Sequence, residues 1–351
     1  MTDRVYYNIG IPYISKSLAG NCSAEQRLNE ESPILEKAND WQMSVVRFDI
    51  PTSQIPILIP DIRPFPNVDI NETIYSVVME YNGDITSKSY VQYVTSKPNS
   101  TLPNPPTASK LFVDRSDYYF IYSINHFLKM INTAISDSFS KLSAPPGGSI
   151  APTLTFNSST NRFTLNSDVS FYSSDLATPI KLYFNNALFS FFEGFNCEYH
   201  GRQISDGRDV MFRVYNDLQE QEYPTVISWN CLRSLQLRSS MMGINNEFVP
   251  NKLGNNGLIS SSSPILADFI PLFDNSSIGS SVARSSISYT VNSSHRLINL
   301  LSDQPLRKVS LEVYWVDEQG NEYLLPMNYR ESTTVKKISF TCEDLSIKSL
   351  E

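Results

Sequence analysis

The most constraining feature of the chain is KVSLEVYWV at 308–316, where Val309, Leu311, Val313 and Trp315 alternate with Ser310, Glu312 and Tyr314. Successive side chains of a β-strand point to opposite faces, whereas a helix returns only every 3.6 residues, so strict alternation commits this segment to a strand with one buried face. Ile287, Tyr289 and Val291 alternate with Ser286, Ser288 and Thr290 in the same way, as do Val46, Phe48 and Ile50 with Val45, Arg47 and Asp49. TIYSVVMEY at 73–81 and KSYVQYVT at 88–95 flank the turn signal Asn82-Gly83 and predict a hairpin. Ile227, Trp229, Cys231, Leu235 and Leu237 fall on one face of a long strand, and PILADFIPLF and VKKISF extend the series. Strands at 43–50, 73–81, 88–95, 226–238, 264–272, 285–291, 308–316 and 335–340 make eight. That is the number in an antiparallel jelly-roll sandwich, so the expected fold class is all-β. Only 18% of residues are charged and 21 are proline, which suits many short strands joined by turns.

Elsewhere the pattern changes. Residues 1–38 hold no sustained period and predict an extended N-terminal arm. Pro51, Pro56, Pro60, Pro64 and Pro66 exclude a helix or central strand between them and predict a surface connection. After a polar, Pro-rich stretch at 96–110, Ile121, Ile124, Leu128, Ile131, Ile135, Phe139 and Leu142 recur at spacings of three and four. This apolar stripe predicts a helix over about 116–142, capped by Asp114 or Ser116 and ended by APPGGS. APTLTFNSSTNRFTL predicts a hairpin and residues 198–215 another, while IKLYFNNALFSFFEGF fits a strand or a short helix equally. The expected organisation is a discontinuous jelly-roll domain at 39–99 and 223–351, with an inserted helix and hairpin subdomain at 100–222.

Little in the chain suggests chemistry. It contains no P-loop, G-x-G-x-x-G, G-x-S-x-G or H-E-x-x-H motif. Its three histidines, His126, His200 and His295, have no partnered nucleophile and no metal-ligand spacing. The four cysteines, Cys22, Cys197, Cys231 and Cys342, lack C-x-x-C spacing and are expected as free thiols. The pairs Asp206 with Asp209, and Asp317 with Glu318, flank turn glycines and read as solvated turn residues. Trp229 and Trp315 alternate with polar residues as buried aromatics do, which weighs against a sugar-binding platform. No catalytic, cofactor or metal residue is therefore expected, and the chain is not read as an enzyme. The first forty residues carry four basic side chains against six acidic ones, and the net charge is −8. Direct nucleic-acid binding through phosphates needs clustered Lys and Arg, so a genome-packaging arm is not expected. No run of 18 apolar residues predicts a transmembrane segment, and MTDRVYYNIG lacks the pattern of a signal peptide.

The segments SWNCLRSLQLRSS, ILADFIPLF, RSSISYTV, HRLINLLSDQPLRKVSLEVYWVDEQGNEYLLPM and VKKISF, with DYYFIYSINHFLKMINTAISDSF in the middle, give a likeness over most of residues 40–341. The sequence resembles the penton or minor capsid proteins, with a single jelly roll, of Polinton-like viruses and virophages. The resemblance implies a virion protein made in the host cytoplasm. It implies self-assembly into a homopentamer at icosahedral vertices, beside a separately encoded major capsid protein, with the insertion forming the outward part. Two alternatives share the fold: a sole jelly-roll capsid subunit of a small virus, and a glycan- or receptor-binding β-sandwich spike. The helix stripe, the Pro-rich segment at 51–66 and the N-terminal arm are the expected neighbour contacts, although such a stripe packs more often on its own sheet.

Overall fold

The computed structural model describes residues 3–11, 23–27, 33, 35–51, 55–64, 67–95, 119–201, 206–229, 231–240, 242–244, 264–269, 286–290, 297–317, 320, 322–325 and 333–342. The first strands are β1 (Asp3–Ile11), β2 (Ser23–Arg27), β3 (Gln42–Pro51), β4 (Glu72–Tyr81), β5 (Asp84–Ile85) and β6 (Ser89–Gln92). Helix α1 (Ile124–Ser140), β7 (Thr153–Asn157), β8 (Arg162–Asn166), one-turn α2 (Val169–Tyr172), β9 (Lys181–Phe184) and one-turn α3 (Asn186–Phe189) follow. Next come β10 (Cys197–Tyr199), β11 (Val210–Phe212), β12 (Leu218–Glu220), β13 (Leu232–Arg238), β14 (Ile265–Phe269) and β15 (Ser286–Thr290). The last are β16 (Ile298–Asn299), β17 (Lys308–Asp317), β18 (Glu322–Leu324) and β19 (Thr333–Cys342). The ladders between these strands are antiparallel, and the chain divides into two compact units.

The first unit is the jelly roll, and its described residues lie before Pro56 and from Leu232 onward. One sheet has the order β1-β19-β3-β15, with β16 also paired to β3; the other has the order β14-β13-β17, with β2 and β18 both paired to β17. Val309, Leu311, Val313 and Trp315 are buried, as their alternation requires, and Leu235, Leu237, Met43 and Val45 are buried too. Strand β3 departs from simple alternation. Its pairing with β19 sets Val45 opposite Ile338 and Arg47 opposite Lys337, so Val46 is the extra residue of a bulge. A one-residue insertion exchanges the faces, which is why Val45 and Ile50, five apart, are both buried while Val46 is half-buried.

Six of the eight expected strands lie in this unit; the hairpin at 73–81 and 88–95 does not. Strand β4 pairs with β9 in the second unit, and β1 and β2, from the segment expected as an extended arm, fill out the jelly-roll sheets instead. A turn signal specifies that two strands pair with each other but says nothing of which sheet they join. The expected strand at 226–238 is also shorter, because Val226–Trp229 forms a 3-10 turn and the strand starts at Leu232.

The described residues of the second unit lie between Pro56 and Cys231, against an expected insertion of 100–222. Its larger sheet has the order β10-β11-β9-β4, with β5 and β6 both paired to β4, and its smaller sheet the order β12-β8-β7. Helix α1 packs on β4, β6 and β7. Ile124, Phe127, Leu128, Ile131, Ala134 and Ile135 are its buried stripe. The helix starts later than its periodicity suggests. Ser123 is its N-cap, Oγ accepting from the His126 N–H at 3.2 Å, and just before it the Ile121 carbonyl accepts from the Ile57 N–H at 2.8 Å. Asp114 and Ser116 lie outside the described residues. Trp229 anchors the core, stacked on Phe163 at 4.9 Å and edge-on to Phe127, Phe191 and Phe192. The two ends of the unit meet: the Cys231 thiol donates to the Pro56 carbonyl at 3.2 Å.

Candidate assembly surfaces

The surfaces that could meet a neighbour are those left after each unit satisfies itself, and two of the three expected contacts are consumed internally. The apolar stripe of α1 is the core of its own unit. In the Pro-rich segment Leu58 and Ile59 are buried, and Arg63 bonds Glu72 at 2.6 Å while lying 3.9 Å over the Tyr90 ring. The described residues 56–64 therefore line the second unit's own sheet. In the N-terminal stretch the backbone of β1 and β2 pairs with β19 and β17, extending the two sheets at their margins.

The face of the larger sheet opposite α1 is different in kind. Glu80 on β4 lies beside Lys181 and Tyr183 on β9, and its carboxylate accepts from Lys181 Nζ at 2.9 Å, the Tyr183 hydroxyl at 3.0 Å and Arg208 Nη1 at 2.9 Å. Burial pushes the Glu80 pKa up, but these three donors outweigh it and hold the carboxyl below its ordinary value. The Tyr183 hydroxyl is raised, by burial first and by the Glu80 charge second. Arg208 also bonds Asp206 at 2.9 Å, and Tyr183 stands edge-on to His200 at 5.5 Å. His200 lies 3.7 Å from Glu198, which Arg213 bonds at 2.5 Å and thereby holds below the usual carboxylate range. Cation and anion alternate across this face, so its charge is nearly balanced and its polar groups satisfy one another within the unit.

His126 lies at the start of α1, its Nε2 2.7 Å from the Val94 carbonyl, and His295 lies outside the described residues. No group of three or more His, Cys, Asp or Glu among the described residues is placed to hold a metal ion. Two of the turn carboxylates are not solvated as expected. Asp209 is buried and its Oδ2 accepts from the Asn186 N–H at 2.9 Å; Asp317 is buried and accepts from the Tyr323 hydroxyl at 3.2 Å. Each spends its charge tying a loop to a neighbouring element. Asp206 is part-exposed and ion-paired, and Glu318 lies outside the described residues. Trp229 and Trp315 are buried, Trp315 stacked on Tyr323 at 4.3 Å, so neither offers a sugar platform. Cys197 and Cys231 form no disulfide.

Known proteins with the same fold explain the pattern. A chain in the cryo-EM structure of the Sputnik virophage superposes with a TM-score of 0.79 at 35% identity, covering 97% of this chain and 98% of that one. The crystal structure of the mavirus penton protein shares the fold with a TM-score of 0.61 at 17% identity, over 96% of this chain and 99% of that one. Sputnik virophage protein V18 is 43% identical over 147 residues, 41% of this chain and 87% of that protein. Sputnik structural protein V19 is 33% identical over 189 residues, 48% of this chain and 85% of that protein. The family model described as Sputnik minor capsid protein V18/19 matches residues 5–220 and 217–341. Drawn from the same segments of sequence, the penton and minor capsid resemblance pointed to this group, and the chain belongs to the Sputnik minor capsid protein V18/19 family, as a structural capsid protein and not an enzyme.

Proposed function

We propose that the chain is the vertex subunit of an icosahedral virophage-type capsid, assembling as a homopentamer beside a separately encoded major capsid protein. The observation that carries this reading is one jelly roll with one large inserted unit, an architecture shared along almost the whole chain with a penton protein. A single jelly roll supplies one subunit of a five-fold ring, whereas a double one would need a second sandwich in the same chain. A closed ring needs a heterologous interface, one side of each subunit against a different side of the next. In this reading the second unit forms the outward part of the vertex, and the protein is made in the host cytoplasm before it joins the particle.

The native mass of the purified chain tests the proposal, measured by light scattering at several concentrations and salt levels and repeated with the major capsid protein of the same virus. Five chains, alone or with that partner, is the expected result. Closed shells of this chain alone would overturn it in favour of a sole capsid subunit, and a monomer under both conditions would overturn it outright.

A further inference from the structure

The sheet β12-β8-β7 has two edges, and the sequence treats them in opposite ways. On β7 the Leu154 N–H and C=O are both held by one side chain: Asn132 Oδ1 accepts at 2.8 Å and Asn132 Nδ2 donates at 2.9 Å. The amide thus imitates the partner that a further strand would supply. Two residues earlier, at the next position facing the same way, Pro152 has no N–H to offer. These are two of the ways in which proteins keep an edge strand from recruiting another chain.

Along Leu218–Glu220 the β12 edge has neither device, and it closes one step further on, where the Glu222 N–H donates to the Gly194 carbonyl at 2.8 Å. The Gln221 N–H donates to the Phe163 carbonyl at 3.0 Å and the Ser167 N–H to the Asp217 carbonyl at 2.9 Å, so the odd-numbered residues face β8. The N–H and C=O groups of Leu218 and Glu220 therefore face outward, and no described strand pairs with β12 beyond β8. Behind them the strand is fixed: Gln219 Oε1 accepts from the Tyr215 N–H at 3.0 Å and Gln221 Oε1 from the Phe163 N–H at 3.0 Å. Leu218 is 69% exposed, and the flanking Tyr215 and Tyr223 are exposed as well. The exposed charges on this stretch, Asp217, Glu220 and Glu222, are all acidic, with Arg162 at 3.8 Å from Glu220 as a partial counter-charge. Two copies of β12 brought edge to edge would set acid against acid, whereas an incoming strand bearing Lys or Arg would meet complementary charge.

We propose that β12 is a docking edge that accepts an extended, basic segment of another protein as an added strand. The backbone of Leu218 and Glu220 supplies the new ladder, Leu218 the apolar contact, and the acidic side chains the selectivity. The inference stands whether or not five copies of the chain form a ring.

The test titrates the full-length chain against a labelled Lys-Val-Lys-Val-Lys-Val-Lys peptide and its Glu-for-Lys counterpart, read by fluorescence anisotropy. The basic peptide should bind, more weakly as salt rises, and the acidic one should not. Leu218→Pro removes an outward N–H and leaves the ladder to β8 in place, so it should weaken binding about tenfold, the loss expected for one such hydrogen bond. Amide hydrogen exchange on the unaltered chain gives a readout independent of how that variant folds. The Leu218 and Glu220 amides should gain protection when peptide is added, while Gln219 stays protected throughout. Equal binding of both peptides, no binding of either, or no gain of protection at Leu218 and Glu220 would overturn the proposal.

Discussion

Arg238 is the buried charge whose removal should be felt most sharply. It ends β13 only 2% exposed, with Nη1 2.8 Å from Glu322 Oε2, Nε 3.0 Å from Gln236 Oε1, and its guanidinium 4.7 Å over the Tyr314 ring. Breaking a buried pair from one side leaves an uncompensated charge and costs about 3–5 kcal/mol when both partners are sequestered. The Glu322 side chain keeps 21% of its exposure, so water offsets part of that loss. Glu322→Leu, which leaves the Arg238 guanidinium without its carboxylate, should therefore destabilise the first unit by about 2 kcal/mol. Arg238→Met should cost less, about 1 kcal/mol, because the remaining carboxylate can turn to solvent. The double variant Arg238→Met, Glu322→Leu should fall within about 1 kcal/mol of the parent, since apolar residues of similar volume replace the pair. Guanidinium unfolding of all four proteins gives the cycle as shifts of midpoint at constant slope. If the two single losses simply add in the double variant, the residues do not act as a pair and the reasoning is wrong.

Three further outcomes follow from single sites. Burial first, opposed by the Val94 carbonyl and aided by nearby Lys129, holds the His126 pKa below its ordinary 6.5. The unfolded chain then takes up the proton first, so stability present above pH 6.5 should drain away as pH falls through the lowered value; melting curves at stepped pH should show this, and His126→Gln should flatten the dependence. Trp229→Ala removes the ring on which four phenylalanines converge and should cost the second unit about 3–5 kcal/mol, measured by chemical unfolding, with Trp229→Phe recovering much of it. Gly194→Ala would bring a Cβ to 2.5 Å from the Tyr223 carbonyl oxygen and should lower the melting temperature, whereas Gly147→Ala, which meets nothing, should not.

How much of this was legible in the sequence depended on whether the signal was local. Val309 to Trp315 could be read because one strand buries one face, and the stripe from Ile124 to Ile135 because one helix does the same. The start of α1 was misplaced because Ile121 continues the spacing of the stripe while its backbone serves another segment. The β4 and β6 hairpin was recognised but given to the other unit, since partners across a sheet leave no mark on periodicity. In β4, Val77, Val78 and Met79 are all fully buried, a two-sided burial that hinted at a strand covered on both faces. The bulge at Val46 and the strands β1 and β2 were missed for a related reason: their pairing is decided by distant residues on β19 and β17. On the candidate surfaces, the roles of Asn132, Asp209 and Asp317 were not readable. A polar side chain satisfying a backbone far along the chain looks in sequence like any other polar residue.

The hydrogen bond from Cys231 to Pro56 gives the second unit the property of a cassette. A segment of such length whose ends already touch can be lengthened, shortened or exchanged with little change in the entropy of closing the base. In the proposed vertex, capsid lineages can thus diversify the second unit while the sandwich stays as it is. Replacing Pro56–Cys231 by a short Gly-Ser bridge should accordingly leave a jelly roll that still folds.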